Sequence, residues 1–154
     1  MFNLFREIRE LRDEGKLHTK LISRTRMLFI ISAILLFVVL FNIFFRDITF
    51  PILLLIMGLA IIGFFLGLYV FSQMNVVNWN EEEEILKSGK MDKAGWFALA
   101  LYIVFEISLR TFLNANFPTF VIPLLLSGIF GTILGRAIGT LVEIHRVYEF
   151  NYTK

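Results

Sequence analysis

The chemistry open to this chain rests on a few polar side chains set inside apolar runs. Glu106 lies near the middle of one run, with Arg110 four residues after it and Tyr102 four before, so the three share one helix face. An ionisable group at such depth costs roughly 2.5 to 3.5 kcal/mol even on insertion scales and normally faces protein or water, which marks it for proton movement or solute binding. A Glu placed four residues before an Arg is also a favourable helix pair. A pair that neutralises itself inside a bundle and a pair that lines a pathway therefore both fit the spacing. Arg136 stands about five residues before the end of the last apolar run, with Thr140 and Glu143 on its face. Its long stem can reach the interface, so a headgroup contact or a pair with Glu143 is preferred to an anion site.

Other chemistries lack their residues. The chain has no cysteine, which excludes disulfides, thiolate metal sites and cysteine nucleophiles. His18 and His145 have no second ligand at metal spacing, so no metal is expected. There is no HExxH, phosphate-binding loop, dinucleotide fingerprint or serine elbow, and no cofactor is expected. Ser32, Ser108 and Ser127 have no base nearby and read as hydrogen-bonding groups between helices.

A second pattern concerns packing. Ser127, Gly131, Gly135 and Gly139 recur every four residues, and Gly63 and Gly67 form a similar pair. In lipid there is no hydrophobic drive between helices, so small residues that let backbones approach decide which helices associate. This zipper-like stripe should pack against another helix, within the bundle or across a homo-oligomer.

The elements that carry these residues follow from composition. Of 154 residues 57% are hydrophobic, 18 are Phe and only 18% are charged, which is too apolar for a soluble domain and points to a membrane protein. The net charge of +2 is small and its basic residues are clustered, which excludes a nucleic-acid partner. The expected fold is all-α, a four-helix transmembrane bundle in residues 27–154 with spans near 27–45, 48–72, 95–113 and 119–141. Residues 1–26 should be a cytoplasmic interfacial helix, with Phe2, Leu4, Phe5, Ile8 and Leu11 on its apolar side, followed after Gly15 by a basic juxtamembrane segment. Lys16, Lys20, Arg24 and Arg26 form that lipid-facing cluster. The long charged leader does not fit a cleaved signal peptide.

Gln73–Lys93 is the one sizeable loop. Asn78 or Asn80 could cap a short helix through Glu81–Glu84, closed by Gly89, with the acids as a solvated first turn ahead of any divalent-cation site. Trp79 and Trp96 would bracket it at the interface, and Tyr148, Phe150 and Tyr152 in the tail would rest there too. Seven Lys and Arg precede the first span and three lie in the loop, so both termini should be cytoplasmic, most simply at the plasma membrane.

Each hairpin also has a Phe-Pro at the start of its second helix, Phe50-Pro51 and Phe117-Pro118, followed by a glycine pair. A duplication would make a parallel repeat about an axis normal to the membrane. Both features are common enough in spans for coincidence to produce the match.

Leu109-Arg110-Thr111-Phe112-Leu113 closing the third span and Gly135-Arg136 late in the fourth resemble the carboxyl half of CcdC-like bacterial membrane proteins over about sixty residues. The resemblance implies a small four-span protein, an accessory to another membrane system. Three functions fit the residues: a non-enzymatic accessory, assembly or immunity-type protein acting by helix packing against itself or a membrane partner; an oligomeric channel or transporter with its polar path at Glu106 and Arg110; and, last, an enzyme acting on lipid headgroups.

Overall fold

With no water in the bilayer core to bond open backbone groups, an apolar run of about twenty residues must close its hydrogen bonds within itself. The computed structural model, which describes residues 8, 10–71, 77–80, 85–88 and 93–152, does this in four helices. They are α1 (Thr19–Phe45), α2 (Phe50–Leu66), α3 (Lys93–Asn116) and α4 (Val121–Tyr152). Each is long and apolar enough to cross a membrane. Pro51 sits in the first turn of α2, where a missing N–H costs nothing. Pro118 opens a 3-10 turn, Pro118–Phe120, that leads into α4. At its far end α2 runs into a π-helical turn, Gly67–Phe71.

Helix α4 is the centre of the bundle. It packs along α2 on one side and α1 on another, and touches α3 far less. The buried stripe of α1, Leu21, Thr25, Ser32 and Val39, is spaced as one helix face. Leu21 shares a cluster with Ile144 and Val39 shares one with Leu124, so α1 and α4 run antiparallel. The second cluster, with Ile52, Ile56, Leu113 and Val121, closes the end of the bundle away from the termini. That end is called distal here, and the end that holds Leu11, Leu21 and Ile144 basal.

The basal end holds a second small core. Two strands, β1 (Val77–Asn80) and β2 (Ile85–Ser88), pair antiparallel with Trp79 opposite Leu86. Leu86 donates its N–H to the Lys16 carbonyl at 2.8 Å and accepts from the His18 N–H at 3.1 Å, which adds residues 16–18 as a short third edge. Leu11, Leu17, Leu21, Val77, Leu86 and Ile144 are buried together there.

This core changes four expectations. Asn78 and Asn80 lie in a strand, where the alternation Val77-Asn78-Trp79-Asn80 turns Val77 and Trp79 to one face; the expected helix through residues 81–84 and its end at Gly89 lie outside the described residues. The leader's apolar side is covered by protein at Ile8 and Leu11, with Leu11 2% exposed, so these side chains do not face lipid; residues 1–7 lie outside the described residues. Gly15, at φ 73, ends that helical segment as its sequence implied. Trp79 packs on Tyr148 at 6.5 Å between ring centroids and leaves the aromatic belt to Trp96, which is 63% exposed. Helix α4 also continues to Tyr152, and its basal turns carry Ile144, Val147 and Tyr148 into the small core.

Candidate functional site

The glycine spacing has its effect where α2 meets α4. A Cβ added at Gly131 would run into the carbonyl oxygen of Ala60 and lie 2.9 Å from the Phe64 nitrogen. One added at Gly135 would meet the carbonyl of Phe64 and the Leu68 nitrogen, the latter at 2.8 Å. The reverse contacts match: a Cβ added at Gly63 would meet the carbonyl of Gly128 and lie 3.1 Å from the Thr132 nitrogen, and one added at Gly67 would meet the carbonyl of Thr132 and lie 2.8 Å from the Arg136 nitrogen. The two sets of contacts correspond under a shift of 68 residues, which exchanges Gly63 with Gly131, Gly67 with Gly135, Ala60 with Gly128 and Phe64 with Thr132. The helices are therefore parallel and related by a local pseudo-two-fold axis along the bundle.

Ser127 and Gly139, from the same stripe, are buried as well. The Ser127 hydroxyl donates to Leu124 O of its own helix at 2.7 Å and Ser108 donates to Val104 O at 2.8 Å, so neither bridges two helices. Gly128 and Thr132 belong to the seam and were missed by the sequence reading. They form a small-residue pair of their own, one position along from Ser127 and Gly131, and that offset was the available signal.

The intramembrane polar group gathers beside the seam. Tyr102, Glu106 and Thr132 line a crevice with Leu59, Gly63 and Gly128 that holds about 10 Å³ of solvent-sized space, about what one water needs. The Tyr102 hydroxyl lies beside the Glu106 carboxyl and the Thr132 hydroxyl. The phenol has a single proton, which a Glu106 carboxyl oxygen can accept. The Thr132 hydroxyl donates to Gly128 O at 2.9 Å, which ties the polar group to the seam.

Arg110 is not part of this group. Ion pairs among the described residues join Arg12 with Asp13, Lys16 with Glu14, His145 with Glu149 and Arg146 with Glu143, and none joins Glu106 to Arg110. Two four-residue steps overshoot two helical turns by about 80°, which carries Arg110 out of the crevice to an exposed position. The expected Glu106–Arg110 pair is thus replaced by Glu106–Tyr102.

Arg136 is half-buried at the basal end of the seam, with Arg24 of α1 close enough to act on its charge. Thr140 donates to the Arg136 carbonyl at 2.8 Å, whereas Glu143 pairs with Arg146 at 3.9 Å and not with Arg136. In the basic cluster Lys16 pairs with Glu14 at 2.8 Å and lies 5.7 Å from the Tyr148 ring centroid, so it is held by protein groups. Lys20, Arg24 and Arg26 are exposed. No group of three or more His, Asp or Glu suited to a metal ion occurs among the described residues.

Fold and site together define a class: a small multi-pass helical membrane protein with a glycine-mediated seam and a half-buried acid, Glu106, beside it. No family model, curated protein or solved structure matches the chain.

Proposed function

We propose that the protein is a non-enzymatic accessory or assembly protein of a membrane, an immunity role included, that works by helix packing and offers α3 to its partner. The observation that carries this reading is the state of α3. Only 6% of its span is buried, against 44% for α4, and its exposed positions include Ser108, Arg110 and Thr111. Hydroxyls in a span favour contact with another helix over contact with hydrocarbon. The partner is a second copy or another membrane protein. The lysine and arginine bias supports a cytoplasmic position for both termini, and the resemblance to CcdC-like proteins would imply the same accessory role.

The absence of cysteine makes the test direct. Ser108→Cys and Thr111→Cys, treated in native membranes with a thiol-reactive photocrosslinker, should give adducts of one defined size, whereas Met57→Cys and Ile61→Cys, each 54% exposed on α2, should not. Equal yields at all four positions would remove α3 as the partner helix.

A second reading, an oligomeric channel or transporter, draws on the half-buried Glu106 in its water-sized crevice. Four thin helices enclose little space, so conduction would require several copies.

A further inference from the structure

We propose that the cleft between the leader, β2 and the first two turns of α1 binds the phosphate-bearing headgroup of an anionic phospholipid. The cleft measures about 690 Å³, and its polar lining is Arg12, His18, Thr19, Ser23 and Arg26, with no acid among the described residues. That volume is in the range of small-molecule sites. Arginine forks and hydroxyls are the groups that hold phosphate oxygens.

Two of these side chains are already oriented. His18 accepts the Lys20 N–H on Nδ1 at 3.2 Å, which fixes its ring and leaves Nε2 for another partner. Arg12 gives Nε and Nη2 to Asp13 at 3.0 and 2.9 Å, so its charge is partly offset and Arg26 carries the larger share of anion binding.

The helix face below the cleft identifies the source of the phosphate. Thr19, Ser23 and Arg26 follow one another at steps of four and three residues, and the same steps continue through Ile30, Ala33, Phe37, Leu40 and Phe44. Ile30, Phe37, Leu40 and Phe44 are 50%, 69%, 43% and 82% exposed. The cationic cleft therefore sits at the head of an open apolar stripe on one face of one span. A ligand that matches both parts has a phosphate at one end and acyl chains at the other. Lys20 and Arg24, equally basic and exposed, do not line the cleft, which separates a built site from diffuse surface charge.

The test uses the full chain in detergent micelles, with native mass spectrometry following titration by phosphatidylglycerol or phosphatidylcholine. Wild type should prefer phosphatidylglycerol, Arg26→Gln should cut that affinity about fivefold, Arg12→Gln should cut it less, and Lys20→Gln with Arg24→Gln should leave it nearly unchanged. If Arg26→Gln does not fold, Ser23→Glu at an exposed position places a negative charge in the cleft and should abolish the preference. Equal binding of the two lipids, or an equal loss from the Lys20 and Arg24 changes, overturns the proposal. Displacement of phosphatidylglycerol by millimolar inorganic phosphate overturns the assignment to lipid and makes the cleft a site for soluble phosphate. None of these outcomes depends on α3 meeting a partner.

Discussion

Helices α2 and α3 are both apolar spans, yet one is fastened to α4 along its length and the other barely touches it. The difference is not hydrophobicity. Mean hydropathy is 2.6 for the second span and 1.6 for the third, but lipid is as good a solvent for Leu as another helix is. What α2 has is Gly63 and Gly67 facing Gly131 and Gly135, which bring backbone against backbone. Close approach multiplies dispersion contacts, each worth only about 0.1 to 0.2 kcal/mol. Helix α3 presents Phe97, Leu101, Val104, Phe105 and Ile107 instead, all largely exposed. Side chains of that size hold backbones apart and leave the crevice at Glu106 as the main polar contact. The lesson is that in this bundle small residues decide adjacency and large ones decide only burial in lipid.

The largest test of that contrast is Gly135→Leu. The obstacle is the backbone of Phe64 and Leu68, which cannot rotate away, so the change should cost roughly 3 kcal/mol or more and lower the thermal midpoint in detergent sharply. Gly58→Leu is the matched control, since nothing lies within 4 Å of a Cβ there. Similar midpoints for the two variants would mean that the seam does not hold α2 to α4.

Next in size is Leu86→Ala in the basal core, where Leu86 is 0% exposed. Loss of its contacts with Leu11, Leu17 and Val77 should cost about 2 to 5 kcal/mol. The effect should appear as faster amide exchange in the strands while the seam keeps its protection. Uniform exchange through the whole molecule would show that basal core and bundle are one cooperative unit.

The smallest effect concerns the fastening of α3. Removing the phenol in Tyr102→Phe takes away the polar contact of α3 with Thr132 of α4 and should cost about 0.6 kcal/mol, the typical strength of such a bond between membrane helices, while Glu106→Gln, which changes only a partner within α3, should cost less. A double-mutant cycle should show coupling between Tyr102 and Glu106 and almost none between Glu106 and Arg110. The opposite pattern would restore the Arg110 pair. A proton leak in reconstituted vesicles that disappears with Glu106→Gln would favour the channel reading over the accessory one.

The class of the protein was legible at once, because apolar runs of span length have few solutions in a bilayer. The glycine pairs were legible as packing residues for the same reason, and Gly15 as a helix end because a φ of 73 suits no other residue as well. Sequence spacing did not reveal that Glu106 meets Tyr102 and not Arg110. Both lie four residues away, and the choice depends on which side of α3 faces Gly63 and Gly128. Nor did it reveal the basal core, since Leu11, Val77, Leu86 and Ile144 come from segments distant along the chain and read separately as an interfacial helix, a loop and a tail. Local pattern and the demands of lipid on the backbone thus determined that there are four spans and which faces can come close. Only the tertiary structure decided that both glycine pairs lie in one seam between α2 and α4, that Leu11 and Leu17 pack against the two strands, and that Arg12 and Arg26 share one cleft. Each of those depends on distant segments arriving together, and spacing within one segment carries no information about what lies across from it.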